Sequence, residues 1–195
     1  MSQREAHIDR KTRETEIELI LNLDGTGEAD LSTGIGMLDH LLSTLAKHGG
    51  FDLKLRCTGD LHVDDHHTAE DCGLALGQAI DEALGERRGI VRFGSAHAPL
   101  DEALARAVVD LSGRPWAEVC LDLEADQLGQ LSAQMVDHVL RSLAMQLRAA
   151  VHVDVLRGRN DHHKAEAAFK ALALALRQAV TQTGSSEVPS TKGVL

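Results

Sequence analysis

Along residues 16–23, Ile17, Leu19, Leu21 and Leu23 alternate with Glu16, Glu18, Ile20 and Asn22, the period of a strand with one buried face. Leu53, Leu55 and Cys57 around Lys54 and Arg56 give another. Further along, Ala117, Val119, Leu121 and Leu123 alternate with Glu118, Cys120 and Asp122, and Val151, Val153 and Val155 alternate with His152 and Asp154. Residues 37–47 and 132–148 show helical spacing instead. Two more helices are predicted over about 65–84 and 161–182, with Asp64 or Asp65 and Asn160 or Asp161 placed as N-caps. Each half reads strands, helix, strand, helix. This predicts an α+β fold in which small mixed sheets carry helices on one face.

The halves also match residue by residue. Asp64-Asp65-His66-His67-Thr68-Ala69-Glu70 returns as Asn160-Asp161-His162-His163-Lys164-Ala165-Glu166. Upstream, Asp39-His40-Leu41-Leu42 returns as Asp137-His138-Val139-Leu140. The two offsets, His40 to His138 and His66 to His162, are 98 and 96 residues, so the motifs recur as a linked set. The chain is read as a duplicated half-domain, 1–90 and 91–184, followed by a tail, 185–195. No Pro-, Gly- or Ser-rich linker separates the halves, which predicts one shared core.

Composition narrows the function. A formal net charge of −10 argues against general binding to nucleic-acid backbones, and 2% aromatic residues leave little for base stacking. Cys57, Cys72 and Cys120 form no CxxC pair and are read as small, partly buried hydrophobes in a reducing compartment. The polar N-terminus and the lack of an 18-residue apolar run predict a soluble cytoplasmic protein with no membrane contact.

Eleven histidines are the unusual count. On a helix, residues three or four apart share a face, whereas adjacent ones diverge by about 100°. Glu70 can therefore join either His66 or His67 at a cation, but the two imidazoles point to separate centres. His162, His163 and Glu166 repeat the arrangement. With His40 and His138 the set is six imidazoles and two carboxylates, enough for two metals with three imidazoles and one carboxylate each. His7, His62, His97 and His152 lack repeat partners and are read as surface or structural residues. His48 is read as intermediate between the two groups, since a cap of the helix ending at Gly49 would also account for it.

These motifs, together with Gly34-Ile35-Gly36-Met37-Leu38, Asp110-Leu111-Ser112-Gly113-Arg114-Pro115 and Pro189-Ser190-Thr191-Lys192-Gly193, resemble the imidazoleglycerol-phosphate dehydratases from about Arg10 to Leu195. The resemblance implies two Mn²⁺ per active site. One would take His40, His67, Glu70 and His163, and the other His66, His138, His162 and Glu166. It further implies a large homo-oligomer of twenty-four subunits, with sites completed between neighbours.

The implied reaction removes water from D-erythro-imidazole glycerol phosphate, giving imidazole acetol phosphate in histidine biosynthesis. The hydrogen that leaves carbon is not beside a carbonyl and is poorly acidic, so a cation at the substrate's ring nitrogen would help by drawing charge into the ring. Glu14 and Glu166 are the candidates for the carbon proton, and His40 joins them among the catalytic residues. Arg92, Arg114, Lys170, Ser190 and Lys192 are the candidates for the substrate phosphate, with Glu14 also contacting substrate. By composition the tail is expected to lack order until it closes over that phosphate. Two other readings fit the histidines: a metal-buffering or metal-assembled protein, and a di-metal hydrolase of a phosphorylated small molecule.

Overall fold

The computed structural model describes residues 4–195; Met1–Gln3, at the start of the first half-repeat, lie outside them. The chain forms β1 (Glu5–Lys11), β2 (Thr15–Asn22), β3 (Ala29–Ser32), α1 (Gly36–Gly49), β4 (Asp52–Gly59) and α2 (His66–Leu84). It continues with β5 (Phe93–Leu100), β6 (Ala103–Asp110), β7 (Trp116–Cys120), β8 (Gln127–Leu128), β9 (Leu131–Ser132), α3 (Ala133–Leu147), β10 (Ala150–Arg157) and α4 (Asp161–Val180). The first sheet has strand order β1-β2-β4-β3 and the second β5-β6-β10-β7. In both, the first two pairings are antiparallel and the last is parallel, which requires the α1 or α3 crossover. Two sheets with one topology are what a duplicated half-domain should build.

The helices lie between the sheets. α2 packs on β1 and β2, α1 on β3, α4 on β5 and β6, and α3 on β7. Across the middle α2 meets α3 and α1 meets α4, so each helix pair joins the two halves. Leu38, Leu41, Leu42 and Leu45 on α1 and Phe169, Leu172 and Leu176 on α4 are fully buried there. Each such side chain contributes roughly 1.5–3 kcal/mol of apolar burial.

Small residues set the closest approach. Gly73 and Gly77 lie one turn apart on α2 against α3; a Cβ on Gly73 would come within 2.8 Å of the Val139 carbonyl oxygen, and one on Gly77 would collide with that of Leu143. Backbone oxygens cannot swing aside, so Gly77→Ala must push the helices apart. Overpacking of this kind costs about 1–3 kcal/mol, net of the helix propensity gained. It should lower the melting temperature by roughly 3–9 °C in a thermal scan. An unchanged melt would mean that α2 and α3 are not tightly held.

The predicted helices are all present, within two residues at each end. The strand expected over 117–123 stops at Cys120, because Asp122 takes a left-handed backbone (φ 53°). Six strands escaped the pattern, among them the two-residue β8 and β9. In β6 the buried face is Ala103, Ala105, Ala107 and Val109, too small to stand out beside its neighbours, and in β5 it is mainly Gly94 and Ala98. In β1 it is Ala6 and Ile8, and β3 is a short edge strand. Cys57 and Cys72 are buried as expected, whereas Cys120 is exposed on edge strand β7.

The tail differs from its composition. Just ahead of it Gln182 bridges to Ile90; residues 185–195 have no regular structure, yet this end of the chain is tied to the rest. Thr183 N–H donates to Gly89 O, Gly89 N–H to Glu187 O, and Arg92 Nη1 to Pro189 O. Its end, Leu195, lies against Gly113, where a Cβ would meet the Leu195 carbonyl carbon at 2.7 Å. Val188, Pro189 and Ser190 are half-buried.

Candidate metal centre and active site

The N-termini of α2 and α4 present the histidine doublets. Asn160 caps α4, its side-chain oxygen accepting from the backbone N–H of His162 and His163. At α2 the Asp64 carboxylate accepts from His66 N–H, while Asp65 is drawn away to Ser132 on β9. Both devices satisfy amides that the helix leaves unpaired.

Cross-half helix packing then assembles two trios. Because α1 lies on α4, His40 Nε2 sits 2.9 Å from Glu166 Oε2, and His162 Nε2 is 3.3 Å from the same oxygen. Because α3 lies on α2, His138 Nε2 is 2.9 Å from Glu70 Oε1, with His66 Nε2 3.8 Å from Glu70 Oε2. Within each trio the donor atoms lie within 4.8 Å of one another. Two imidazoles and a carboxylate suit a divalent transition metal, with further positions left for other ligands.

This grouping differs from the one the family resemblance implied. Within the chain, His40 belongs with His162 and Glu166, not with Glu70, and His138 belongs with His66 and Glu70, not with Glu166. The helix pairing produces this arrangement within the chain, with α1 packed on α4 and α3 on α2. His67 and His163 stand outside both trios. His67 Nδ1 faces the Asp60 carboxylate at 3.1 and 3.2 Å, and its Nε2 lies 3.7 Å from Glu14 Oε1. His163 Nδ1 faces Glu102 Oε2 at 2.7 Å, with Asp101 4.0 Å from its Nε2. The hydrogen bonds to Asp60 and Glu102 raise the two imidazole pKa values above the ordinary histidine range.

The trios are not electrostatically equal. Lys170, one turn beyond Glu166, places Nζ 2.7 Å from Glu166 Oε1. Burial works to raise the Glu166 pKa, but Lys170 and then His40 outweigh it and hold it at about 2. The equivalent of Lys170 in the first half is Leu74, so Glu70 has no such partner.

A pocket of about 330 Å³ lined by His66, Gln134, Met135, Asp137, His138 and Arg141 opens at the second trio. A larger cleft of about 870 Å³ along Leu121–Gln127 shares Gln134 and Asp137 with it.

The phosphate candidates fall into two places. Arg92 binds Asp110 in bidentate fashion, Nε to Oδ1 at 2.7 Å and Nη2 to Oδ2 at 3.1 Å, and its remaining Nη1 holds Pro189 O. Leu111 N–H donates to Arg92 O, which sets Ser112–Arg114 beside it, and Leu195 abuts Gly113. The tail thus carries Ser190 and Lys192 along the edge that bears Arg92 and exposed Arg114. Lys170 lies elsewhere: Arg92 N–H meets α4 at Ala179 O, nine residues or about 14 Å along the helix.

Sequence reasoning missed Asp60 and Glu102. The signal for Glu102 was present, since it immediately precedes β6 as Glu14 precedes β2.

A family model described as imidazoleglycerol-phosphate dehydratase matches residues 33–176. The imidazoleglycerol-phosphate dehydratase of Candida glabrata is 56% identical over 208 residues, covering 97% of this chain and 99% of that protein. That of Saccharomyces cerevisiae is 51% identical over 219 residues and is covered, like this chain, to 100%. For the Phytophthora nicotianae protein the identity is 59%, but this chain spans 42% of its length. The Staphylococcus aureus dehydratase structure matches with a TM-score of 0.83 at 34% identity, covering 92% of this chain and 99% of that one. The Pyrococcus furiosus structure, in complex with (S)-C348, also gives 0.83, at 39% identity and 96% and 100% coverage. Matched in sequence over nearly its full length and in fold throughout, the chain belongs to the imidazoleglycerol-phosphate dehydratase family and is a hydro-lyase.

Proposed function

We propose that the chain converts D-erythro-imidazole glycerol phosphate to imidazole acetol phosphate and water, with two Mn²⁺ per active site. The observation that carries the metal part is the pair of trios, His40–His162–Glu166 and His66–His138–Glu70, each assembled across the two halves. Bound there, a divalent cation would supply Lewis acidity toward the substrate's imidazole ring.

The chain's own residues divide the remaining work. Glu166 is tied to two imidazoles and to Lys170, which suits a ligand and leaves it poorly placed to take a carbon proton. Glu14 is half-exposed at the tip of the β1–β2 turn and fits the proton-transfer role better. Ser190, Lys192 and Arg114 converge on one edge that suits a phosphate, with Arg92 holding the tail by Pro189. His67 and His163 belong to neither trio of their own chain. This supports a homo-oligomer in which they complete a neighbour's centre; the number of twenty-four subunits is what the family resemblance implies. No described helix is long and apolar enough to cross a membrane, which is compatible with the cytoplasmic location expected.

Treating the purified protein with a chelator should abolish conversion of imidazole glycerol phosphate, and Mn²⁺ should restore it. Product can be followed by its ketone while metal content and particle size are measured on the same samples. Full turnover in a demonstrably metal-free sample would overturn the metal reading. Metal binding without turnover would overturn the substrate and favour metal storage.

A further inference from the structure

The two halves hold their outlying histidines with different elements. Strands β2 and β6 are equivalent, so Glu14 and Glu102, each immediately before its strand, occupy one position of the repeat. At the ends of β4 and β10, Gly59 packs against Thr68 and Gly158 against Lys164, the residues two beyond His66 and His162. That contact aligns Gly59 with Gly158 and therefore Asp60 with Arg159.

The carboxylate has consequently changed place. In the second half Glu102 faces His163 Nδ1 through Oε2 at 2.7 Å, while its Oε1 accepts the backbone N–H of Arg159 (3.1 Å) and Asn160 (2.9 Å). In the first half the Nδ1 of His67 is met by Asp60, whose side chain makes no other hydrogen bond among the described residues. Glu14, the repeat partner of Glu102, accepts no hydrogen bond through its carboxylate among those residues; its nearest charged neighbour is His67 Nε2 at 3.7 Å.

We propose that Asp60 and Glu102 are positioning residues that fix His67 and His163 with the proton on Nδ1, so that Nε2 is a free donor, and that Asp60 thereby releases Glu14 for proton transfer. A carboxylate accepting Nδ1–H sets both the tautomer and the ring orientation of a metal-binding imidazole. Glu102 is immobilised by three donors and cannot serve substrate. The repeat thus explains why only one of two equivalent glutamates is available for chemistry. The inference rests on the reading of His67 and His163 as metal donors.

Its test is Mn²⁺ binding by the purified full-length protein, read from the electron-paramagnetic signal of the unbound ion. Glu102→Gln is nearly isosteric. Its Oε1 keeps both backbone bonds, while its amide nitrogen turns a donor toward His163 Nδ1 and drives the proton to Nε2. It should weaken one of two Mn²⁺ equivalents by about 10- to 100-fold without changing the melting temperature or particle size. Asp60→Ala should weaken one equivalent to the same extent. Asp60→Asn retains an acceptor for Nδ1–H and should bind within about 3-fold of the parent, a rescue that a merely structural role would not predict. Glu14→Gln should keep both equivalents and lose about 10²- to 10⁴-fold in kcat.

If Glu102→Gln and Asp60→Ala bind both equivalents normally while His67→Gln and His163→Gln each lose one, the positioning role is overturned and the ligands stand. If those two histidine variants also bind both equivalents normally, the ligand reading fails and this inference with it. Loss of Mn²⁺ in Glu14→Gln would show that Glu14 is not free, overturning the division of labour.

Discussion

Replacing Glu166 by Gln should remove about half of the bound Mn²⁺ and lower kcat/KM by at least about 10³-fold, close to 4 kcal/mol. The substitution keeps the shape of the side chain and removes its charge. In the native chain the carboxylate offers one oxygen to His40 and His162 and the other to Lys170. A neutral amide would leave the Lys170 ammonium uncompensated and about 3 Å from the trio, where it repels any cation. Glu70→Gln should remove the other half of the Mn²⁺. With Leu74 in place of a lysine, it introduces no uncompensated charge, so the remaining equivalent should bind more nearly as in the parent. Elemental analysis of both variants, with kcat/KM on the same preparations, decides the matter. Full metal content and activity in Glu166→Gln would make the first trio an ordinary ion-pair cluster.

The six side chains that the fold gathers into two trios were legible because duplication is legible. A lone His-His pair on a helix says little, but two pairs, each followed by Glu and each preceded by an Asp-His at nearly one offset, point to chemistry. The partners were not legible. Spacing along α2 and α4 puts a glutamate on the face of either histidine, and the choice between His66 and His67 depends on which helix lies opposite. That is a tertiary matter, set by α1 on α4 and α3 on α2. One local signal existed: Gly73 and Gly77, one turn apart on α2, mark the face that another helix approaches closely, and α3 covers it. Read together with His66 and Glu70, they would have directed α3, and so His138, to the first doublet.

Strands were legible where branched or long side chains carry the alternation, as in β2, β4 and β10. They were hidden where alanine and glycine do, as in β5 and β6. The small residues have a reason: α4 lies directly over β5 and β6, and a Cβ on Gly94 would collide with the Ala175 carbonyl. Close helix–sheet contact removes the bulky residues from which a strand is recognised. Asp60 and Glu102 were hidden for another reason: neither belongs to a duplicated motif, and Glu102 meets a histidine 61 residues away.

Deleting the tail after Gly184 should lower kcat/KM by about 10²- to 10³-fold while leaving metal content unchanged. The segment carries no member of either trio, so the metal should be indifferent to it. It does carry Ser190 and Lys192, which the Arg92–Pro189 bond and the seat of Leu195 against Gly113 draw to the edge bearing Arg114. Charge-assisted hydrogen bonds to a phosphate are worth about 1.5–3 kcal/mol each, so losing two gives a deficit of this size after some compensation by water. Lys192→Ala alone should cost about 10- to 100-fold, from one such contact. The tail is already docked in this structure, which removes part of the ordering cost that a free segment would meet on binding substrate. The effect should therefore appear mainly in KM for the phosphorylated substrate. The truncated protein should also discriminate less against an analogue lacking the phosphate. If truncation changes neither KM nor that discrimination, the tail has no part in holding phosphate, and the anion must be held by a cation of the main body, either Arg114 or Lys170.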